Sequence, residues 1–498
     1  MSMRVLHVCA EVYPLLKTGG LADVTAALPA ALAALGCDTR LLVPGFPSIR
    51  DGITGTTRIA TLGGRFGADA AALYRGKLPD SEVVAYFIDA PALYDRPGGP
   101  YGDPRESPYP DNHRRFALLG WVAARLAREL DPSWRPHVVH GHDWHAGLAP
   151  AYLRADERET GTVAARSVFT IHNLAYQGVF PAHQFHETGL PPAFFDIDGV
   201  EFFGQYSFLK AGLYYSDKIT TVSPTYAQEI QHAEQGCGLN GLLRRRAGDL
   251  HGILNGVDEA IWNPASDRHL AERYNETSLA GKSGCKTALQ RATGLDVRRD
   301  ALLFGVVSRL AEQKGLHLVL KMLPDIVRRG GQFALLGSGD TGLEQAFTRA
   351  AEEHPGAVAV VIGYDESMSH RLIAGSDVIM VPSRFEPCGL TQLFGLRYGT
   401  LPLVRRVGGL FDTVVDCSLE NLADGSATGF AFDAFDELAL GAAVRRAFAL
   451  YERKEEWERV QRCAMQARFG WNSSATKLMS VYRQLASTAP RHRTEQVA

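Results

Sequence analysis

The sequence predicts an α/β chain built from two doubly wound, parallel-sheet domains. Short runs of Val, Ile and Leu recur, each followed by a glycine-containing loop and then a stretch of helical periodicity. Apolar runs without alternation read as strands buried on both faces, and their alternation with helices implies parallel sheets covered on both sides. The runs also exceed the roughly ten strands that one open sheet usually holds, so two sheets are expected.

In order, the first-half strands are Arg4–Cys9, Arg40–Val43, Val83–Ile88, Val138–His140, Val168–Ile171 and Lys218–Val222. The second-half strands are Leu302–Val307, Phe333–Leu336, Val358–Ile362, Val378–Val381 and Leu401–Val404. Between them, Ala22–Ala34, Arg114–Glu129, His317–Arg328, Leu343–Glu353 and Leu438–Tyr451 have helical spacing. The expected domains are residues 1–256 and 257–470, with a helix at about 471–485 that packs back on the first domain. The last dozen residues are expected to be disordered.

Composition removes several functional classes. The 498 residues suffice for two to four domains at roughly 100–200 residues each. The net charge of −3 lacks the basic surplus of a nucleic-acid binder. The seven cysteines include no CxxC pair, which favours a reducing compartment over a disulfide or zinc framework. No secretory signal or run of 18 apolar residues is legible, so a cytoplasmic chain with no membrane partner is expected.

The polar motifs fall at strand ends. Ligands of doubly wound domains bind there, beyond the carboxyl ends of the strands. Lys17-Thr18-Gly19-Gly20-Leu21 follows the first strand; its amides and Lys17 suit an anion, or else form a tight turn with a solvated lysine. Arg309 and Lys314 bracket the corresponding loop of the second half and suit a diphosphate, or are two surface cations. Glu386-Pro387-Cys388-Gly389-Leu390-Thr391 leads into a helix, with amides at the helix start and Glu386 either accepting from sugar hydroxyls or capping the helix. Cys388 reads as a small buried residue. His140, His142, Asp143 and His145 resemble metal ligands, but the spacing favours substrate contact with Asp143 as a helix cap, and no metal is expected. His172-Asn173 is a second polar pair at a strand end. Gly337-Ser338-Gly339-Asp340-Thr341-Gly342 matches GxGxxG, but on the second strand of its domain, which argues against a dinucleotide.

These stretches, with Thr170-Ile171-His172-Asn173, Asn255-Gly256-Val257-Asp258 and Ser383-Arg384-Phe385-Glu386-Pro387-Cys388-Gly389-Leu390-Thr391-Gln392, resemble the signatures of bacterial glycogen synthase and plant starch synthase. They occur in that family's order from residue 4 to about residue 485. The resemblance implies a GT-B fold, two Rossmann-like domains facing across a cleft. It implies an enzyme, a hexosyltransferase that moves glucose from ADP-glucose to the non-reducing 4-OH of glycogen or another α-1,4-glucan, with retention and without a metal cofactor. Carried over by position, Lys17, Arg309 and Lys314 hold the diphosphate, with donors from Gly20 and Thr391. His172, Asn255, Glu386, Cys388 and Gly389 line the glucose pocket, the Leu390 amide is a substrate-binding donor at the helix start, Asp143 lies near sugar and acceptor, and Tyr364 stacks on adenine. Phe394 stands where many related enzymes carry a second glutamate, which puts a carboxylate clamp on the ribose in question.

Three rival readings differ in what they need. An NAD-dependent oxidoreductase rests on the Gly337 loop alone. A non-catalytic glucan- or nucleotide-binding protein has no need of Lys17, Arg309 and Lys314 together. A glucan phosphorylase needs a lysine motif for pyridoxal phosphate, and none is identifiable.

Overall fold

The computed structural model describes residues 2–105 and 107–487. The disorder expected of the last dozen residues lies outside the described residues. Within them the chain divides into two compact units, residues 2–256 with 471–487, and residues 257–470.

The first unit holds strands β1 (Arg4–Val8), β2 (Asp38–Pro44), β3 (Thr54–Thr61), β4 (Ala72–Lys77), β5 (Val84–Asp89), β6 (Val138–His142), β7 (Arg166–Ile171), β8 (Val179–Pro181), β9 (Glu201–Phe202), β10 (Gln205–Ser207), β11 (Lys218–Thr221) and β12 (Leu250–Gly252). Nine of these form one sheet in the order β12-β11-β7-β6-β1-β2-β5-β4-β3, and β8, β10 and β9 form a small second sheet. The central strands are buried on both faces: Val5, Leu6, Val8, Val138, Val139 and Val168 are all solvent-inaccessible.

The sheet is not all parallel, as the sequence had suggested. β3 and β4 form an antiparallel edge, and β4 also pairs antiparallel with β5. β3, of sequence TGTTRIAT, is mostly exposed. An edge strand facing water carries no apolar run, so the signal used for the central strands is missing there. The strands β8 to β10 and β12 are only two or three residues long, too short to show a period.

Helix Gly20–Ala34 buries Leu21, Val24, Thr25, Leu28 and Leu32, a one-faced spacing. Helix Trp471–Ser487 buries Trp471, Ala475, Leu478, Met479, Tyr482 and Leu485. The two apolar stripes join with Val5, Val138 and Val168 in one cluster, so the C-terminal helix covers the face of β1, β6 and β7.

The second unit holds β13 (Leu303–Val307), β14 (Gln332–Gly337), β15 (Val358–Ile362), β16 (Val378–Val381), β17 (Leu401–Arg405) and β18 (Phe430–Phe432). Their order is β15-β14-β13-β16-β17-β18, all parallel. Numbered within the unit this is 3-2-1-4-5-6, the doubly wound dinucleotide-fold order. Helix Leu316–Arg328 buries Leu316, Val319, Leu323 and Ile326 against this sheet.

Candidate active site

Strand order decides where each unit can hold a ligand. The chain reverses its direction of winding between β13 and β16 in the second unit, and between β1 and β6 in the first. Loops diverge at such points and leave a crevice. The motif residues stand at these ends.

In the second unit, the loop after β13 carries the exposed Arg309, then Lys314. Lys314 Nζ donates to Glu386 Oε2 at 2.6 Å, and Ser383 Oγ donates to the same oxygen at 2.8 Å. Glu386 is 6% exposed, and it does not cap the following helix, Thr391–Arg397. Lys314, Ser383, Glu386, Gly389, Leu390, Thr391 and Gln392 line one pocket. The two loops are tied by Gln313 Nε2 donating to the Phe385 carbonyl and by the Arg384 amide donating to the Gln313 carbonyl. Cys388 is buried, as a packing residue would be. Tyr364, beyond β15, is outside that lining and 62% exposed, with its hydroxyl bonded to Glu366.

Two further sequence features have internal contacts here. The GxGxxG loop spends its groups internally: Asp340 accepts from the Leu343 amide, and the Gly339 amide donates to Glu344. Phe394 stacks on Trp262 at 3.8 Å, and Trp262 stacks on His370 at the same distance. The position of the second glutamate is therefore part of an aromatic stack.

In the first unit, Lys17 Nζ donates to Asp23 Oδ1 at 2.9 Å. The loop amides are not open to an anion as expected: those of Thr18 and Gly19 donate to Glu11 Oε2, and the Thr18 and Tyr101 hydroxyls donate to Glu11 Oε1. Glu11 is 3% exposed, an internal hydrogen-bond acceptor that shapes the loop and leaves Gly20 at the start of the helix.

Asp143 follows β6 with φ 56° and ψ −179°. That region is essentially confined to glycine, and holding another residue there costs about 1–3 kcal/mol. Asp143 does not cap the turn after it, which corrects the capping expectation. Its Oδ1 instead accepts from the amides of His172, at 2.8 Å, and Asn173, at 3.3 Å. Burial pushes its carboxyl up to about 7, against the pull of those amides. His142 lies in β6 itself, not beyond the strand end, and alternation puts His140 and His142 on one face. His172 and Asn255 line a small cavity with His140, His142 and Thr170.

The geometry groups Arg309, Lys314, Glu386, Gly389, Leu390 and Thr391 in one unit, and Lys17, Gly20, Asp143, His172 and Asn255 in the other. Comparison with known proteins identifies the family. Residues 4–245 match the family model described as the starch synthase catalytic domain, and residues 294–462 match that of glycosyl transferases group 1. A glycogen synthase from Francisella tularensis subsp. novicida is 59% identical over 97% of this chain and 99% of its own length. The chain belongs to the glycogen and starch synthase family. A glycogen synthase of Francisella philomiragia is 58% identical over 97% of this chain and all of its own length. Among solved structures, the catalytic domain of starch synthase IV from Arabidopsis thaliana, bound to ADP and acarbose, matches with TM-score 0.89 and 32% identity, covering 98% of this chain and 100% of its own. Sucrose-phosphate synthase from Thermosynechococcus elongatus, at 19% identity and TM-score 0.58 over 98% of this chain and 100% of its own, shares the fold. The chain is thus a hexosyltransferase of the GT-B fold.

Sequence reasoning missed Glu11, Tyr101 and the Gly408-Gly409 pair. A Cβ on Gly408 would lie 2.0 Å from the Glu386 carbonyl oxygen, and one on Gly409 would lie 2.2 Å from that of Cys388. The glutamate loop of this synthase is seated on bare backbone. The adjacent glycines after β17 were a legible signal for such an approach.

Proposed function

We propose that the chain transfers glucose from ADP-glucose to the non-reducing 4-OH of glycogen or a related α-1,4-glucan, with retention of configuration and release of ADP. One observation carries this reading: Lys314 and Glu386 are bonded at the β13/β16 crevice. A cation suited to a diphosphate stands beside a carboxylate suited to sugar hydroxyls, where a doubly wound domain takes its ligand. The starch synthase IV relative was solved with ADP and acarbose, which supports an adenine nucleotide.

In this reading Lys17, Arg309 and Lys314 supply positive charge to the diphosphate, and Gly20 and Thr391 donate hydrogen bonds to it. Glu386, His172, Asn255, Cys388 and Gly389 hold the glucose, Leu390 sets the helix start, and Tyr364 stacks on adenine. Asp143 lies beside the reacting sugar and acceptor. The acceptor 4-oxygen forms the new bond to the anomeric carbon on the face from which the phosphate departs. The anomeric carbon–oxygen bond to phosphate breaks, and the leaving phosphate takes the proton of the attacking hydroxyl. Catalysis is then positioning and electrostatics, with no glycosyl-enzyme ester. Side-chain cations neutralise the leaving group, so no metal cofactor is assigned. The chain works in the cytoplasm, with neither nucleic acid nor membrane as partner; no described helix is long and apolar enough to cross a membrane.

The test is incubation with ADP-glucose or UDP-glucose and glycogen, with and without EDTA. Glucan extension from ADP-glucose that survives EDTA is expected. Transfer from UDP-glucose only, or activity abolished by EDTA and restored by Mg²⁺, would overturn the donor or the metal assignment respectively.

A further inference from the structure

Behind Asp143 and His172 lies a row of imidazoles to which the proposed chemistry gives no role. β1, β6 and β7 are adjacent, and the register sets His7 opposite His140 and His142 opposite Thr170. His7 Nδ1 is 3.0 Å from His142 Nε2, and His142 Nδ1 is 3.0 Å from His172 Nε2. Three rings from three strand segments therefore form one hydrogen-bonded chain.

His140 stands beside this chain but outside it. Its Nδ1 bonds the Tyr482 hydroxyl and its Nε2 the Thr170 hydroxyl, each at 2.6 Å. Nitrogens of His7, His140 and His142 come within 4.8 Å of one another, as in a metal site. However, both nitrogens of His140 and of His142 already have hydrogen-bond partners. The grouping is a hydrogen-bond network, and a cation would have to dismantle it.

Burial holds His7 and His172 down at about 3 and His142 well below the usual imidazole value. Neutral rings carry one N–H each, so the chain can run in only two directions. In one, His7 Nδ1–H donates to His142 Nε2, His142 Nδ1–H donates to His172 Nε2, and His172 keeps its proton on Nδ1. In the other, every proton moves across its ring, and His7 ends with an N–H on Nε2. His7 Nε2 is buried and has no partner among the described residues. A buried N–H without an acceptor is the rarer defect, compared with an unused lone pair. The first direction is favoured.

We propose that His7 and His142 are positioning residues that lock His172 in its Nδ1–H tautomer, so that its outer nitrogen is a hydrogen-bond donor for an oxygen of the transferred glucose. This rests on the assignment of His172 to the glucose pocket. The outer nitrogen makes no hydrogen bond among the described residues, whereas Nε2 is engaged by His142. With the proton on Nε2 instead, His172 would offer only a lone pair, which can accept from a sugar hydroxyl but cannot donate to a sugar oxygen. The device fixes the ring's polarity without placing charge in the pocket.

The test is the ¹⁵N spectrum of the histidine-labelled, deuterated full-length protein, with the His172 signals assigned by their loss in His172→Gln. The expected wild-type pattern is a protonated Nδ1 and a bare Nε2. In His142→Leu the locked pattern should be lost, with kcat falling about tenfold or more while KM for the donor changes less than threefold. His142→Gln can still donate to His172 Nε2, and it should recover most of the rate. A wild-type His172 protonated on Nε2, a His142→Leu spectrum unchanged from wild type, or a His142→Leu kcat within twofold of wild type would overturn the proposal. The wild-type spectrum needs no variant to fold and no turnover. If the protein transferred no glucose at all, the functional reading would fail while the tautomer assignment was still decided by the spectrum.

Discussion

Each unit places a lysine after its first strand and a carboxylate beside it, yet the two are built differently. In the second unit Lys314 meets Glu386, whose side chain is 8% exposed, and every positive-φ residue there is a glycine. In the first, Lys17 meets Asp23, with both side chains about a quarter exposed, while the buried Glu11 side chain ties down the loop backbone. All five described non-glycine residues with positive φ, Asp143 among them, lie in the first unit. Their histidines differ too. The first unit buries neutral rings in a row, whereas His370 of the second is hydrogen-bonded to Asp267, with a Glu366 carboxylate oxygen 3.6 Å from its other nitrogen. The second unit concentrates charge on relaxed backbone; the first relies on strain and uncharged rings. Charge should therefore dominate the kinetics of one and conformation that of the other.

The largest effect is expected at Glu386. Glu386→Gln should lower kcat by about 10²–10³-fold, the scale of losing one oriented electrostatic contact. ADP binding, measured by calorimetry, should not weaken, because the change removes the carboxylate that neutralises Lys314. Loss of ADP affinity in step with kcat would place Glu386 on the nucleotide instead of the sugar.

Next come the cations. Lys314→Ala, Arg309→Ala and Lys17→Ala should each cut kcat/KM by about tenfold to a few hundredfold. Lys314→Ala should cost most, since it also leaves the buried Glu386 without its ion-pair partner. A ranking with Lys17 first would reverse the contrast between the units.

Asp143→Gly separates strain from function. It relieves roughly 1–3 kcal/mol of backbone strain and removes the acceptor of two amides worth about 1 kcal/mol each. The melting temperature should therefore move by only a few degrees, while kcat/KM falls about tenfold or more. A large drop in melting temperature would make the carboxylate primarily structural.

The last contrast is in pH dependence, with opposite signs in the two units. His7 and His145 are held at about 3 by burial, against about 6.5 in an unfolded chain. Below about pH 6.5 the unfolded state binds more protons, so their contribution is complete above that pH and falls toward pH 3, by about 1.4 kcal/mol per ring per pH unit. For His370, burial alone would lower the value, but the bond to Asp267 and the nearby Glu366 carboxylate outweigh burial and raise it. Its contribution is present below about pH 6.5 and is lost as pH rises through the raised value. Hydrogen exchange at pH 5 should accelerate in β1, β6 and β7 before β13 and β14. Simultaneous loss of protection would count against this division.

The sequence alone was enough to read the central strands and the loops that leave them. A doubly buried strand is written in consecutive residues such as Val5–Val8 or Val378–Val381, and a βα turn in the glycines after it. It placed Glu386, Lys314, Arg309, Lys17 and His172 in the loops after strands because each stands within nine residues of the strand it follows. The water-facing hairpin of β3 and β4 was invisible, since its residues carry no apolar period. Which group meets which was left to the tertiary structure. Glu11 reaches Tyr101 across 90 positions, and His7 reaches His142 across 135, because the chain crosses the sheet to set β6 beside β1. Gly408 meets Glu386 because β17 lies next to β16. Local sterics and burial act between neighbours in the chain, but hydrogen-bond partners and ring tautomers depend on strand order, which only the assembled sheet fixes.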